Sequence, residues 1–220
     1  MRSRFKRELA GAQDAQNETK SNLSPLHSLF SQTLSKLFES IAAESTDTFV
    51  SLADSCDTVL VCGSGRIANL TQIVAMKLML LKIKAQPITD PNMMNIQASF
   101  SDKKTLFLLL DVSGDTEALT KAATMARAQG SMVATISRHH DSSLKDISET
   151  YLFIPSTAGR TFSPSISIDT LTMLVVDILF DSIVKTKHDE YFELLQKTGG
   201  LLDIMGAEAV SSLTDPLFSL

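Results

Sequence analysis

The sequence predicts an α/β fold, a three-layer sandwich in which a parallel sheet carries helices on both faces. Three observations predict it. From Thr58 onward, short runs rich in Val, Leu and Ile alternate with helical stripes. Several of these runs are apolar at every position rather than at every second one, as in strands buried on both faces. Two glycine-containing turns, around Gly63-Ser64-Gly65 and Ser113-Gly114-Asp115, each follow such a run and lead into a helical segment.

The elements follow in order. Residues 1–23 are polar and lack an apolar face, which predicts a tail or linker. Ser24 and Pro25 suit the cap and first position of a helix, where a missing N–H costs nothing. Leu26, Leu29, Phe30, Leu34, Leu37, Phe38 and Ile41 then recur at three- and four-residue spacing. A second helix is expected over Thr46 to Ser55, with Phe49, Leu52 and Ala53 inward. Thr58 to Cys62 reads as the first strand and Ile67 to Lys82 as its helix. Lys84 to Thr89 is a weaker strand, ended by Asp90-Pro91-Asn92, and Met93 to Phe100 a short helix. Thr105 to Leu110 is the third strand. Thr116 to Gln129 is helical and stops at Gly130, a residue suited to a left-handed cap. Ser131 to Ser137 and Tyr151 to Ile154 complete five strands. A Ser-, Thr- and Pro-containing loop covers Pro155 to Ser165. Ile168, Leu171, Val175, Ile178 and Leu179 mark a last long helix. The expected organisation is a tail (1–23), one domain (24–198) and a C-terminal tail (199–220).

Composition excludes several classes. The 220 residues are 44% hydrophobic and 20% charged, as in globular proteins, so neither a fibre nor a disordered chain is indicated. Mean hydropathy is +0.10, enough for a sizeable core. No apolar run reaches the roughly 18 residues of a membrane helix. The basic start, Arg2, Arg4, Lys6 and Arg7, has no apolar segment behind it, so no secretory signal is expected and the chain is placed in the cytoplasm. Cys56 and Cys62 lack a metal-ligand pattern and fit buried thiols in a reducing compartment. Neither a metal nor a cofactor is expected. A net charge of −5 argues against direct DNA binding, which needs a basic face.

Ligands of such sheets bind beyond the C-terminal strand ends. The first turn supplies Gly63, Ser64, Gly65 and Arg66. Glycine lets backbone approach a ligand, and a helix start offers N–H groups to an anion. The second turn supplies Asp111, Ser113, Gly114, Asp115 and Thr116. Ser113 and Thr116 flank a glycine, so both hydroxyls can face one concavity. Two such turns after the first and third strands would converge on one anion. The competing reading is an ordinary pair of tight turns with capping hydroxyls.

These paired turns, the leading helices from Pro25 to Cys56 and the stretch before the last long helix resemble the SIS (sugar isomerase) domain. The most similar version is the effector domain of RpiR-type transcriptional regulators, and the resemblance covers roughly Ser24 to Thr186. It implies a five-stranded, flavodoxin-like parallel sheet, a homo-oligomer (dimer or tetramer), and a phosphorylated sugar held at these two turns. DNA contact would run through a helix-turn-helix domain that is missing or truncated here. Gly63 and Gly65 match the family's Gly-x-Gly-x-Ser turn, with Ile67 in place of its Ser. Ser113, Gly114 and Thr116 match Ser-x-Ser-Gly-x-Thr, with Asp111 in place of the first Ser. An ionised Asp111 disfavours phosphate unless a cation offsets it, and Arg66 is the expected partner.

Catalysis is not expected. An aldose–ketose isomerase needs a base such as Glu, and the resemblance places it after the fifth strand, yet Tyr151 to Asp169 contains no Glu. Arg160 is the cation of that stretch. His139 and His140 read as an exposed turn, with a reach into a neighbouring subunit's site as the alternative. His27 and His188 are expected to face water. Met76, Met79, Met125 and Met173 fall at helical core spacing. The leading expectation is therefore a non-catalytic sugar-phosphate sensor. A stand-alone isomerase is the alternative. A dinucleotide site is a third, since Gly63 to Ala68 fits Gly-x-Gly-x-x-Ala and Asp90 stands where a ribose-binding acid belongs. A ligand-free dimer module is a fourth.

Overall fold

A computed structural model describes residues 27–112, 117–155 and 167–186. Residues 27–40 are helical and form α1. There follow α2 (Ala43–Ser55), β1 (Thr58–Cys62), a 3-10 turn (Gly65–Ile67) running into α3 (Ala68–Leu80), β2 (Ala85–Ile88) and α4 (Pro91–Phe100). Then come β3 (Thr105–Asp111), α5 (Glu117–Ala128), β4 (Met132–Ser137), α6 (Leu144–Ile147), β5 (Thr150–Phe153) and α7 (Ile168–Thr186). The limits expected at 24 and 198, the leading tail, Ser24, Pro25 and Leu26, the Ser/Thr/Pro loop with Arg160, His188 and the C-terminal tail lie outside the described residues.

The five strands are parallel and ordered β2-β1-β3-β4-β5. This is the flavodoxin-like order. Strand alternation divides the core into two layers. Val59, Val61, Leu106, Leu108, Leu110, Ala134 and Ile136 face a cluster with Leu37 of α1, Phe49 of α2, Val74 of α3 and Val175 of α7. Leu60, Cys62, Phe107, Leu109 and Val133 face the other, with Met94 of α4 and Leu119, Ala122, Ala123 and Ala126 of α5. Both faces are covered, which is why the strands read as unbroken apolar runs.

Local chemistry accounts for the element ends. Asp90 caps α4, its Oδ1 accepting from the Met93 N–H at 2.9 Å, and Pro91 takes the first turn. Past α5, Gly130 has φ +83°. The Gly130 and Ser131 N–H groups donate to Arg127 O (2.9 Å) and Ala126 O (3.0 Å), the bonding of a Schellman end. The leading helices are tied to the far edge of the sheet: Ser40 Oγ donates to Phe153 O and Thr150 Oγ1 to Ser45 O, each at 3.0 Å. Both cysteines are free thiols. Burial pushes Cys62 up to about 12 and Cys56 to about 11, so neither is a ready nucleophile.

The methionine expectation needs correction. Met125 and Met173 do pack against the two clusters. Met76 and Met79 are 38% and 51% exposed and lie with Ile73 on the outer side of α3. The inner face of α3 is made instead by Thr71, Val74, Ala75 and Leu78, another stripe of the same helical period. Because α3 is apolar nearly all round, periodicity alone does not choose its buried face.

Candidate functional site

The chain leaves β1 for β2 at one edge and returns to β3 on the other side of β1. Strand order reverses there, and ligands of such sheets bind beyond the C-terminal strand ends at such a point, here those of β1 and β3. Cys62 and Asp111 end these two strands. The first turn begins at Gly63, whose N–H still donates to Ile88 O at 3.2 Å and so extends the ladder.

Gly63 has no room for a side chain. A Cβ there would stand 2.9 Å from Cγ2 of both Ile67 and Thr71 and 3.4 Å from Leu110 Cβ. The backbone therefore lies directly on the first turn of α3. Gly65 is glycine for a different reason, its φ of +63°. Gly63→Ala should destabilise the chain by about 1–3 kcal/mol, the scale of overpacking a filled core. Urea unfolding measures this, and an unchanged midpoint would contradict the close approach.

Beyond Gly65 the 3-10 turn and α3 start without a side-chain cap among the described residues. Neither Ser64 nor Ile67 makes a side-chain capping bond, and the first turn holds no acid. α4, in contrast, is capped by Asp90. An uncapped helix start with partial positive charge lies at the switch point, beside a full charge on Arg66.

Arg66 does not pair with Asp111. Its Nη2 lies 3.5 Å from Oδ1 of Asp169, in the first turn of α7. Strand alternation explains the difference. Leu108 and Leu110 face the layer of α2, α3 and α7, whereas Phe107 and Leu109 face α4 and α5. Asp111 therefore falls on the α4/α5 side, and Arg66 reaches α7 on the other. Asp111 is 1% exposed and stands in register with Ser137 of β4, also buried. Ser113, Gly114, Asp115 and Thr116 lie outside the described residues, so of the second turn only Asp111 is placed at the site.

Asp169 is the residue that sequence reasoning left out of the site. No sequence signal marks it: Arg66 and Lys77 meet Asp169 and Asp177 of α7 in the same order only in the folded chain, Lys77 Nζ lying 2.8 Å from Asp177 Oδ1. The turn after β4 is as exposed as expected. His139 donates its N–H to Ser137 Oγ (3.1 Å) and accepts at its carbonyl from the Tyr151 hydroxyl. The His140 ring lies edge-on to Phe153, 5.5 Å between centroids, with Nδ1 3.0 Å from Asp141 Oδ1. His140 holds the Asp141 carboxyl below its ordinary range. Glu149 is engaged at the opposite, N-terminal end of the sheet, accepting from the Val133 N–H at 2.7 Å and from Arg127. Among the described residues no group of three or more His, Cys, Asp or Glu could hold a metal, and no helix is long and apolar enough to cross a membrane.

No family model matches the chain. A 122-residue stretch is 25% identical to an uncharacterised HTH-type transcriptional regulator of Clostridium perfringens, covering 56% of this chain and 44% of that protein. The match thus spans less than half of the regulator. Among solved structures, the Vibrio vulnificus NanR protein complexed with ManNAc-6P superposes with a TM-score of 0.69 at 20% identity, over 84% of this chain and 73% of that one. The sugar isomerase domain of an RpiR transcription factor from Sphaerobacter thermophilus gives 0.67 at 18% identity, over 80% and 98%. At these identities the likeness is one of fold. The chain has the fold found in the sugar isomerase domains of RpiR- and NanR-type regulators.

Proposed function

We propose that the chain is a non-catalytic sensor domain of an RpiR-type regulator of carbohydrate metabolism, binding a phosphorylated sugar at the C-terminal edge of the sheet. The uncapped start of α3 with Arg66 at the strand-order reversal carries this reading. The phosphate sits between Ser64, Gly65 and Arg66 on one side and Ser113, Gly114 and Thr116 on the other, with Gly63 as the floor and Asp111 and Asp115 at the second turn. The relatives support it in kind: one is a regulator of the helix-turn-helix class and another was solved with a sugar phosphate. A homo-oligomer belongs to the same reading, since Phe30 and Phe38 of α1 remain 38% and 57% exposed. Nothing here requires this domain itself to touch DNA.

The dinucleotide reading is weaker, because Asp90 Oδ1 is engaged as the cap of α4. Thermal denaturation with ManNAc-6P, other sugar phosphates, the free sugars and NAD separates the readings, since a ligand of the folded state alone raises the midpoint. A rise with a sugar phosphate and none with its free sugar is expected, and a rise with NAD alone would overturn the proposal. Asp111→Ser removes a buried carboxyl group and restores a hydroxyl. It should tighten sugar-phosphate binding by about 1.5–3 kcal/mol, the scale of a hydrogen bond to a charged group. Loss of binding in calorimetry would instead make Asp111 a ligand group for a neutral or amino sugar.

A further inference from the structure

Arg66 is more than half exposed, at 60%, yet it is not idle. Its Nη2 stands 3.5 Å from Asp169 Oδ1, beyond the roughly 2.7–2.9 Å of a charge-assisted hydrogen bond. That carboxylate oxygen is shut off from solvent and makes no hydrogen bond among the described residues. The Asp169 backbone N–H is directed elsewhere, to Ser167 Oγ at 3.2 Å. The contact is therefore a loose ion pair between the first turn of α7 and the start of the 3-10 turn, at the mouth of the candidate site. A carboxylate placed this way offers Arg66 a negative charge and an oxygen acceptor, as a phosphate would with a larger charge. The other acid of the site, Asp111, is on the opposite face of the sheet and cannot take this part.

We propose that Asp169 is a positioning residue that holds Arg66 across the unliganded site and must yield it to an anionic ligand, so that the carboxylate sets the threshold an incoming phosphate has to exceed. This rests on the sugar-phosphate reading above. Releasing Arg66 leaves the shielded Oδ1 of Asp169 without its cation, a cost the ligand has to meet, and α7 is thereby linked to the occupancy of the turn after β1. A dianionic phosphate competes for the guanidinium better than a monoanion does. The same carboxylate thus discriminates against singly charged ligands.

Calorimetric titration with ManNAc-6P and with inorganic phosphate tests this on the wild-type chain, Asp169→Asn, Arg66→Gln and the double variant. Asp169→Asn should tighten ManNAc-6P by about two- to five-fold, the fold-change equivalent of an exposed ion pair. In the Arg66→Gln background the same change should have no effect, because there is no guanidinium left to release. A tightening that persists without Arg66 would be plain charge repulsion and would overturn the proposal, as would weaker or unchanged binding in Asp169→Asn. Asp169→Ser keeps the test open if the Asn variant unfolds. If the wild-type chain binds no sugar phosphate at all, the sensor reading falls and this inference with it. Binding that is intact but indifferent to Asp169 removes the inference alone.

Discussion

Phe107→Ala is expected to cost about 3–5 kcal/mol, the cost of emptying a large aromatic site in a packed interior. Phe107 is fully buried at the centre of β3, the middle strand of the sheet. It stands in register with Leu60 of β1 on one side and Val133 of β4 on the other. Its layer holds Met94 and Leu119 and, among the residues of the facing helices, four alanines, Ala98 of α4 and Ala122, Ala123 and Ala126 of α5. Alanines bring a helix close to the sheet and have no spare length with which to refill a lost ring, so the cavity should persist. Phe100, at the end of α4, is the control. It is 87% exposed, and Phe100→Ala should move stability by less than about 0.5 kcal/mol. Urea unfolding of the two variants checks the contrast. Equal costs would mean that β3 is not the centre of the core.

The layered fold was legible because burial on both faces leaves a simple trace. β1 runs from Thr58 to Cys62 as expected, and β3 extends the expected run by one residue, to Asp111. That residue is polar, so hydropathy stops short of it, but the ladder to Ser137 does not. α6 was missed because Leu144 to Ile147 makes one turn, too short for any helical period to show. α4 begins earlier than its apolar pattern because Asp90, a strand-ending residue by composition, is a helix cap by its contact with Met93.

Of the candidate site, the glycines of the turn after β1 were legible in the sequence, and the pairing of its charges was not. Gly63 and Gly65 were singled out for the approach of backbone to a ligand; what the fold itself requires of them is different, a close contact with Ile67 and Thr71 at Gly63 and a positive φ at Gly65. The partner of Arg66 was not readable. Asp111 was the nearest acid in the turn pattern, but which face of the sheet a strand-end residue takes depends on counting from the core. Asp169 becomes a neighbour only once α3 and α7 lie side by side, a tertiary fact carried by the Lys77–Asp177 and Arg66–Asp169 contacts.

Arg66→Gln should weaken sugar-phosphate binding by about 1.5–3 kcal/mol, the range for a hydrogen bond to a charged group. Three observations make Arg66 the residue on which a phosphate would depend most. It is the charged member of the turn after β1, it stands at a helix start with no side-chain cap, and its carboxylate partner is held only loosely at 3.5 Å. Gln keeps the length and some hydrogen bonding but not the charge or the forked donor set. Fold stability should fall by about 1 kcal/mol, since the pair is exposed on the Arg66 side and its loss leaves the shielded Oδ1 of Asp169 without its cation. The loss should be selective. An unphosphorylated sugar should bind the variant as it binds the wild type, and the salt dependence of sugar-phosphate affinity should become shallower, because one screened charge contact has gone. Calorimetry at two ionic strengths with both ligands reads all of this. If affinity for the phosphorylated and free sugars fell together, Arg66 would be holding the turn in shape rather than meeting the anion, and the phosphate would have to be held by Ser113 and Thr116 instead.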